Sequence, residues 1–259
     1  LTCGMHVHVG ISDQDQRIEL MNQCVYFLPQ LLALSTSSPF WGGDNTGLKS
    51  YRLSVFNQLP RTGLPDRFES WSDYQRHVDV LINAGMVKDA SMLWWDLRPS
   101  CRFPTLEMRI TDVCTQVDDA LCIAALYLAT LKMLSNLRDN NQRWRTYAPM
   151  LIKENIWRAQ RYGIDKGLID FQRESVINFK ALLQQWLEAI DQAAHEMDCH
   201  TEVQHALTIL TRGTSAHRQA QLYEQALNLG DTPDQAIAKV IDWLISETVL
   251  PPTTHPPCQ

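Results

Sequence analysis

Apolar and polar residues alternate in three short segments of the first half of the chain. The alternation predicts β-strands over residues 5–9, 93–98 and 105–111. Side chains two positions apart on a strand point the same way, so each strand should have one apolar and one polar face. The apolar faces are expected to join the core, which leaves the polar faces as candidate sites for chemistry.

Helical periodicity dominates the rest of the sequence. Apolar residues spaced near 3.6 predict a helix over 16–35 that opens at Asp13 or Asp15, and Pro29 predicts a kink or two abutting segments. Ser70 opens a second predicted helix, over 74–84. From Val117 onward the predicted helices span 118–137, 144–162, 175–197, 201–211, 216–228 and 232–247.

These elements predict an α+β chain with a single domain over 1–250. An antiparallel sheet lies in a sheet-bearing part, 1–116, and a mostly helical part, 117–250, packs on or beside it. The segment 37–65 is rich in Gly, Pro, Ser and Asn but contains aromatic residues, so we expect an ordered functional loop that forms part of a lid. Residues 251–259, PPTTHPPCQ, are expected to form a flexible tail.

Composition and charge restrict the class of protein. The 259 residues are 45% hydrophobic and 20% charged, which is typical of a globular protein, and the formal net charge is −6. A duplex-binding protein normally has a basic surface, so we expect no nucleic-acid partner. We find neither an apolar run of membrane-spanning length nor a signal peptide, and so expect no membrane partner and a cytoplasmic location. The seven cysteines form no CxxC pair and are expected to be free thiols in a reducing compartment.

The polar faces of the predicted strands carry an unusual set of side chains. His6 and His8 share one face, Glu107 and Arg109 share another, and Arg98 lies on a third with Trp94 and Asp96. Taken alone, His6 and His8 fit an ordinary surface pair as well as a metal or nucleotide site, and Glu107 with Arg109 favours a simple cross-strand salt bridge. Taken together, they are residues that ligate divalent cations and bind phosphate, and lysine is absent from all three faces.

Two histidines and a glutamate are also compatible with a hydrolytic zinc site, but the HExxH helix motif is absent. The neighbouring arginines favour a site that stabilises a transferring phosphate or acyl phosphate. The sequence contains no GxxxxGK[ST], GxGxxG or GxSxG motif, so it supports neither a P-loop, nor a Rossmann fold, nor a nucleophile elbow.

Five blocks of sequence together resemble the type 2 glutamate–cysteine ligases, also called carboxylate–amine ligases. The blocks are GMHVHVG at 4–10, STSSPFW at 35–41 with KSYR at 49–52, WDLRPS at 95–100, TLEMRITD at 105–112, and ENIWRAQRYG at 154–163. The resemblance implies a fold like that of glutamine synthetase, in which a curved antiparallel sheet holds ATP and Mg²⁺, or Mn²⁺ in its place. It implies ATP-dependent joining of the γ-carboxylate of glutamate to the amine of cysteine through an acyl phosphate, as in glutathione biosynthesis.

The resemblance also implies roles for individual residues. His6 and Glu107 match metal ligands, and His8 lies where the nucleotide is held. Arg109 matches the arginine that faces the phosphates or the acyl phosphate. Two roles are less directly matched and are carried over as candidates: Arg52 and Arg98 as a carboxylate or phosphate clamp, and Arg158 with Arg161 on the nucleotide side. For the last pair, an ion-pair ladder with Glu154 on the helix surface is an equal alternative.

One departure from the family pattern affects the functional hypothesis. Family members carry about a hundred further upstream residues, a length within one domain's range, beginning with a strand whose paired glutamates bind metal. Leu1 opens directly before the first block, so we expect an incomplete polypeptide. Two alternatives stay open: a ligase with a different amine acceptor, and a non-catalytic subunit or fragment of such an enzyme. We expect small-molecule substrates as partners, with a homo-oligomer as an option.

Overall fold

The computed structural model describes residues 2–249, in which short strands and helices alternate before a largely helical second half. The strands are β1 Val7–Gly10, β2 Phe40–Trp41, β3 Asp44–Asn45, β4 Thr62–Gly63, β5 Trp94–Trp95, β6 Leu97–Pro99, β7 Thr105–Met108, β8 Leu168–Asp170 and β9 Ser175–Ile177. The helices are α1 Gln14–Cys24, α2 Leu28–Ser35, α3 Tyr51–Phe56, α4 Trp71–Asn83, α5 Val117–Asp139, α6 Pro149–Tyr162, α7 Phe179–Glu196, α8 His200–Gln204, α9 Ala206–Arg212, α10 Ser215–Asn228 and α11 Pro233–Val249. The α+β class is therefore confirmed, and the predicted flexible tail lies outside the described residues.

The central sheet has three antiparallel strands in the order β1-β7-β6. Its register places His8 opposite Glu107 and Arg98 opposite the same Glu107. One face of β7 presents Leu106 and Met108, which are completely buried. The strand alternation therefore turns Glu107 to the opposite face, as the sequence pattern predicts.

The first helical region consists of two segments, as Pro29 predicted. The Asp13 side chain caps α1 by accepting a 2.7 Å hydrogen bond from the Gln16 amide. A 3₁₀ turn, Val25–Phe27, separates α1 from α2, and Pro29 lies in the first turn of α2, where its missing N–H costs no hydrogen bond. The join therefore satisfies the backbone without a kinked helix.

Helix α5 is the central helix of the core and packs on the apolar side of the central sheet. Tyr127 on α5 is fully buried, and its hydroxyl donates to the Leu106 carbonyl of β7 at 3.1 Å. Helix α5 is long enough and apolar enough to cross a membrane, although the sequence predicted no membrane-spanning segment. However, 56% of its most apolar stretch is buried inside this protein, and it packs against α1, α2 and α7. An apolar helix with such neighbours is a core helix.

The predicted strand over 93–98 is wrong as a single element. It divides at Asp96: β5 pairs in parallel with β4, while β6 joins the central sheet. The Asp96 amide donates to the Gly63 carbonyl and its own carbonyl accepts from the Arg109 amide, both at 2.8 Å. The chain changes sheets at this residue, so the Asp96 side chain is buried instead of sharing a polar face with Trp94 and Arg98.

Several predicted boundaries in the helical part also need correction. The helix predicted over 144–162 begins at Pro149, and the one over 201–211 is two helices, α8 and α9. The helix predicted from residue 175 begins at Phe179, because 175–177 is β9, which pairs with β8 in a hairpin. In the first half, the segment 37–65 is not a continuous loop, since it contains α3 and three two-residue strands.

Candidate active site

The candidate site lies on the polar face of the central sheet, where three side chains form a transverse row. His8 on β1, Glu107 on β7 and Arg98 on β6 are directly opposite one another. The Glu107 side chain is only 5% exposed, whereas the His6 and His8 side chains are 36% and 39% exposed. The glutamate therefore forms the floor of the site, and the two imidazoles border it on the solvent side.

Four side chains converge on the Glu107 carboxylate. Arg98 Nε donates to Oε2 at 2.8 Å, and Arg109 donates to Oε1. His6 Nδ1 is 3.5 Å and His8 Nε2 is 3.7 Å from Oε1. The structure thus brings together five residues that the sequence analysis selected, while their chemical roles stay predictions.

The charges of the site fix two protonation states. Burial opposes ionisation of Glu107, but hydrogen bonds and charge from Arg98 and Arg109 outweigh it and hold the pKa of its carboxyl below the ordinary value. Burial and the Arg109 charge lower the pKa of His6 to about 4. At neutral pH the site therefore contains an anionic carboxylate beside a neutral imidazole, the forms that bind cations.

The two arginines are held rigidly. Arg98 Nη1 donates to the carbonyls of Ser91 and Leu93 at 2.8 and 2.6 Å, while Arg109 Nη1 lies 3.2 Å from His6 Nδ1. Arg109 Nε is buried and has no hydrogen-bond partner among residues 2–249. A buried guanidinium N–H without an acceptor suits a site that binds an anion.

A buried ion pair supports the site from behind. Arg52 on α3 donates to the carbonyls of Arg109 and Ile110 at 2.9 and 3.0 Å and lies 3.6 Å from Asp112. Three further groups donate to the Asp112 carboxylate, namely the Ser37 amide and the hydroxyls of Ser38 and Ser50. The main chain that carries Arg109 is thereby fixed to α3, and the start and middle of segment 37–65 are fixed with it.

Sequence reasoning did not identify Asp112 as a site-forming residue, although it ends one of the five blocks. Its importance depends on partners 60 to 75 positions away, which no local pattern reveals. Gly4 is part of the same arrangement, because a Cβ at this position would lie 2.3 Å from Arg52 Nη2. The first residue of the GMHVHVG block must therefore lack a side chain, because the Arg52 guanidinium occupies the space that a Cβ would need.

The remaining selected arginines lie on α6. Arg158 donates to the carbonyls of Gly167 and Lys166 at 3.2 and 3.0 Å, and Arg161 donates to the carbonyl of Gly47. These bonds connect α6 to the turn before β8 and to the glycine-rich turn after β3. They give both arginines a structural function, and the nucleotide-binding role stays a prediction.

We expect Asp96→Asn to change the pH dependence of stability. Burial, partly offset by Arg52 and Arg109, raises the pKa of Asp96 from 3.8 to about 6. Between these values the folded state binds a proton that the unfolded chain lacks, so wild-type stability falls as pH rises through this range. The stability of the variant relative to wild type should therefore increase by roughly 1–3 kcal/mol from pH 4 to pH 7. Urea denaturation at each pH measures it, and a constant difference would contradict the assignment.

The family model for glutamate–cysteine ligase family 2 matches residues 1–235 of the chain. A Rhodospirillum rubrum protein that carries the name glutamate–cysteine ligase 2 is 59% identical over 249 residues, which are 96% of this chain and 64% of that protein. A Paracoccus denitrificans protein of the same name is 51% identical, over 95% of this chain and 66% of its own length. The chain thus spans just under two thirds of the length of these curated relatives.

A solved structure shows the same fold. The glutamate–cysteine ligase of Francisella tularensis, determined in complex with AMP, superposes with a TM-score of 0.57 at 13% identity, covering 92% of this chain and 59% of that one. The match by the family model over most of the sequence carries the assignment, and the similarity of fold agrees with it. The chain belongs to glutamate–cysteine ligase family 2.

Proposed function

We propose that this chain is the catalytic part of an ATP- and Mg²⁺-dependent ligase that joins the γ-carboxylate of glutamate to the amine of cysteine. The observation that carries the proposal is the convergence of His6, His8, Arg98 and Arg109 on Glu107. The proposal includes a sheet of the glutamine-synthetase type, an acyl-phosphate intermediate, and a cytoplasmic enzyme whose dipeptide product leads to glutathione.

The chemistry explains why such a site needs rigid cations. A carboxylate is a poor electrophile, and transfer of the ATP γ-phosphoryl group makes it an acyl phosphate that an amine can attack. Glutamate and ATP are both anions, so the site must neutralise charge while it aligns them. In the proposal Arg109 and Arg98 bind phosphate oxygens, and their bonds to Glu107 and to main-chain carbonyls keep both guanidinium groups in place before substrate arrives.

The side chains of this site are suited to form part of the ligand shell of a bound Mg²⁺. Glu107 would supply an oxygen and neutral His6 a nitrogen, and Mg²⁺ usually completes its octahedron with waters and phosphate oxygens. The ion, when bound, would neutralise phosphate charge and polarise the transferred group. His8 lies on the solvent side of the same carboxylate and would contact the nucleotide, with its other nitrogen, Nδ1, held 2.9 Å from the Thr105 hydroxyl.

Calorimetry and phosphate release test the proposal. We expect ATP to bind at least about tenfold more tightly with Mg²⁺ than without it, since the cation neutralises phosphate charge. Phosphate release should require glutamate together with an amine and should be fastest with cysteine among the amino acids. Faster release with another amine would assign a different acceptor. ATP binding without turnover would indicate a non-catalytic subunit, and absence of Mg²⁺-dependent ATP binding would contradict the proposed site.

A further inference from the structure

A second group of ligand-type side chains lies in the helical half, in a part of the chain that the proposed ligase chemistry does not use. Asp191 and His195 are four residues apart on α7 and so share one face of that helix, and His200 is the first residue of α8. The donor atoms of these three side chains all lie within 4.8 Å of one another. Asp191 and His195 are exposed and His200 is half-buried, so solvent reaches the group.

The connection between α7 and α8 fixes this geometry. Asp198 adopts a left-handed conformation, with φ +50°. Its amide donates to the His195 carbonyl at 3.1 Å, and the Cys199 amide donates to the Ala194 carbonyl at 2.9 Å. This pair of bonds is the Schellman arrangement that ends a helix and reverses the chain. His200 is thereby brought back over the last turn of α7.

The reversal places the two imidazoles in direct contact. The rings of His195 and His200 are stacked, with centroids 4.1 Å apart and an interplanar angle of 12°. His200 Nε2 lies 3.3 Å from the Asp191 carboxylate. Two imidazoles and a carboxylate from adjacent helices therefore place their donor atoms in one small volume, all within 4.8 Å of one another.

We propose that Asp191, His195 and His200 bind a divalent first-row transition-metal ion, for which Zn²⁺ is the best match. Imidazole nitrogens suit zinc, copper, nickel and iron, whereas Mg²⁺ and Ca²⁺ favour ligand shells made mostly of oxygen atoms, so two imidazoles beside one carboxylate favour a transition metal. Three protein ligands leave at least one coordination position for water or a further ligand. Beside the cluster, Asp191 lines a groove together with Leu187, Gln204 and Leu207. The ion would join α7 to α8.

Zinc titration of the purified chain tests the proposal, with His195→Ala/His200→Ala as the variant and His77→Ala as the control. His77 is an exposed histidine on α4, beside Asp73, so the control removes an imidazole from a different helix. A His6→Ala/His8→Ala variant, called the sheet variant, lacks the two imidazoles of the candidate active site. Zinc that still binds to it is therefore bound elsewhere. We expect wild type, the control and the sheet variant all to bind zinc at the α7–α8 cluster with the same affinity. His195→Ala/His200→Ala should weaken this binding about 100-fold or more, since even indirect changes around a metal cost 10–100-fold.

Thermal melting gives a second readout, because an ion that binds only the folded state raises its melting temperature. Zn²⁺ should raise the melting temperature of the sheet variant and not that of a variant that also lacks His195 and His200. Asp191→Asn, which keeps both histidines, should bind zinc at least about tenfold more weakly and serves if the double variant misfolds. Equal zinc affinity in wild type and Asp191→Asn, or no zinc binding by wild type, would overturn the proposal.

Discussion

Glu107→Gln should reduce Mg²⁺-dependent ATP turnover by a factor of about 100 to 1000, the usual cost of removing one preorganised electrostatic group from a catalytic site. Glutamine keeps the size of the side chain but cannot accept charge-assisted bonds from both Arg98 and Arg109, which the carboxylate now joins through its two oxygens. The variant also loses the anionic oxygen proposed to bind the cation. Phosphate release at saturating ATP, glutamate and cysteine measures the effect.

The helical part of the chain should be unaffected, because Glu107 lies on the polar face of the sheet and the helices pack on the opposite face. Far-UV circular dichroism should therefore match that of wild type. Glu224→Gln is a suitable control, since Glu224 is exposed on α10 and its replacement makes the same change in charge. Turnover by Glu107→Gln near the wild-type rate would show that the sheet face is not the reaction site.

Asp112→Ala should destabilise the protein by about 3–5 kcal/mol, the range found when one partner of a buried ion pair is removed. Arg52 would keep its charge inside the protein without its carboxylate, and the donors of Ser37, Ser38 and Ser50 would lose their acceptor. Asp112 is only 1% exposed, so water cannot easily replace it. Urea denaturation followed by circular dichroism measures the loss.

A surface ion pair provides the comparison for this prediction. Glu19 and Arg138 are 2.9 Å apart, but their side chains are 42% and 38% exposed, so Glu19→Ala should cost less than about 1 kcal/mol. Adding Arg52→Met to Asp112→Ala should recover part of the lost stability, because the unpaired buried charge is removed as well. Equal effects of Asp112→Ala and Glu19→Ala would contradict the role of the buried pair.

The strand pattern predicted the most important feature of the candidate site. Alternation over 105–111 placed Glu107 on a polar face, and the GMHVHVG block placed His6 and His8 together; the structure brings these residues to one point. Periodicity also located most helices, and Pro29 marked the join between α1 and α2 correctly. These features depend on neighbouring residues, so a single sequence contains them.

Features that depend on distant partners were not predictable in the same way. Asp96 continues a regular alternation, but its amide and carbonyl bind Gly63 and Arg109, so the chain leaves one sheet and enters another there. The hairpin at 168–177 was missed because β9 directly precedes a strong helical pattern. Arg52 has the right chemistry for binding phosphate, yet its observed partners are two main-chain carbonyls and Asp112. Which partner an arginine finds is decided by tertiary structure.

The pairing of β1 with β7 also affects how the protein folds. His8 and Thr105, which touch across these strands, are separated by 97 positions, with four helices between them. Closing so long a loop costs entropy before any contact repays it, and contacts between remote segments slow folding. Helices with short-range contacts can form while the nascent chain is still growing, but the sheet face proposed to bind ligands requires synthesis to pass residue 109. The part of the molecule proposed to carry its chemistry therefore forms only after chain diffusion has joined segments 97 positions apart.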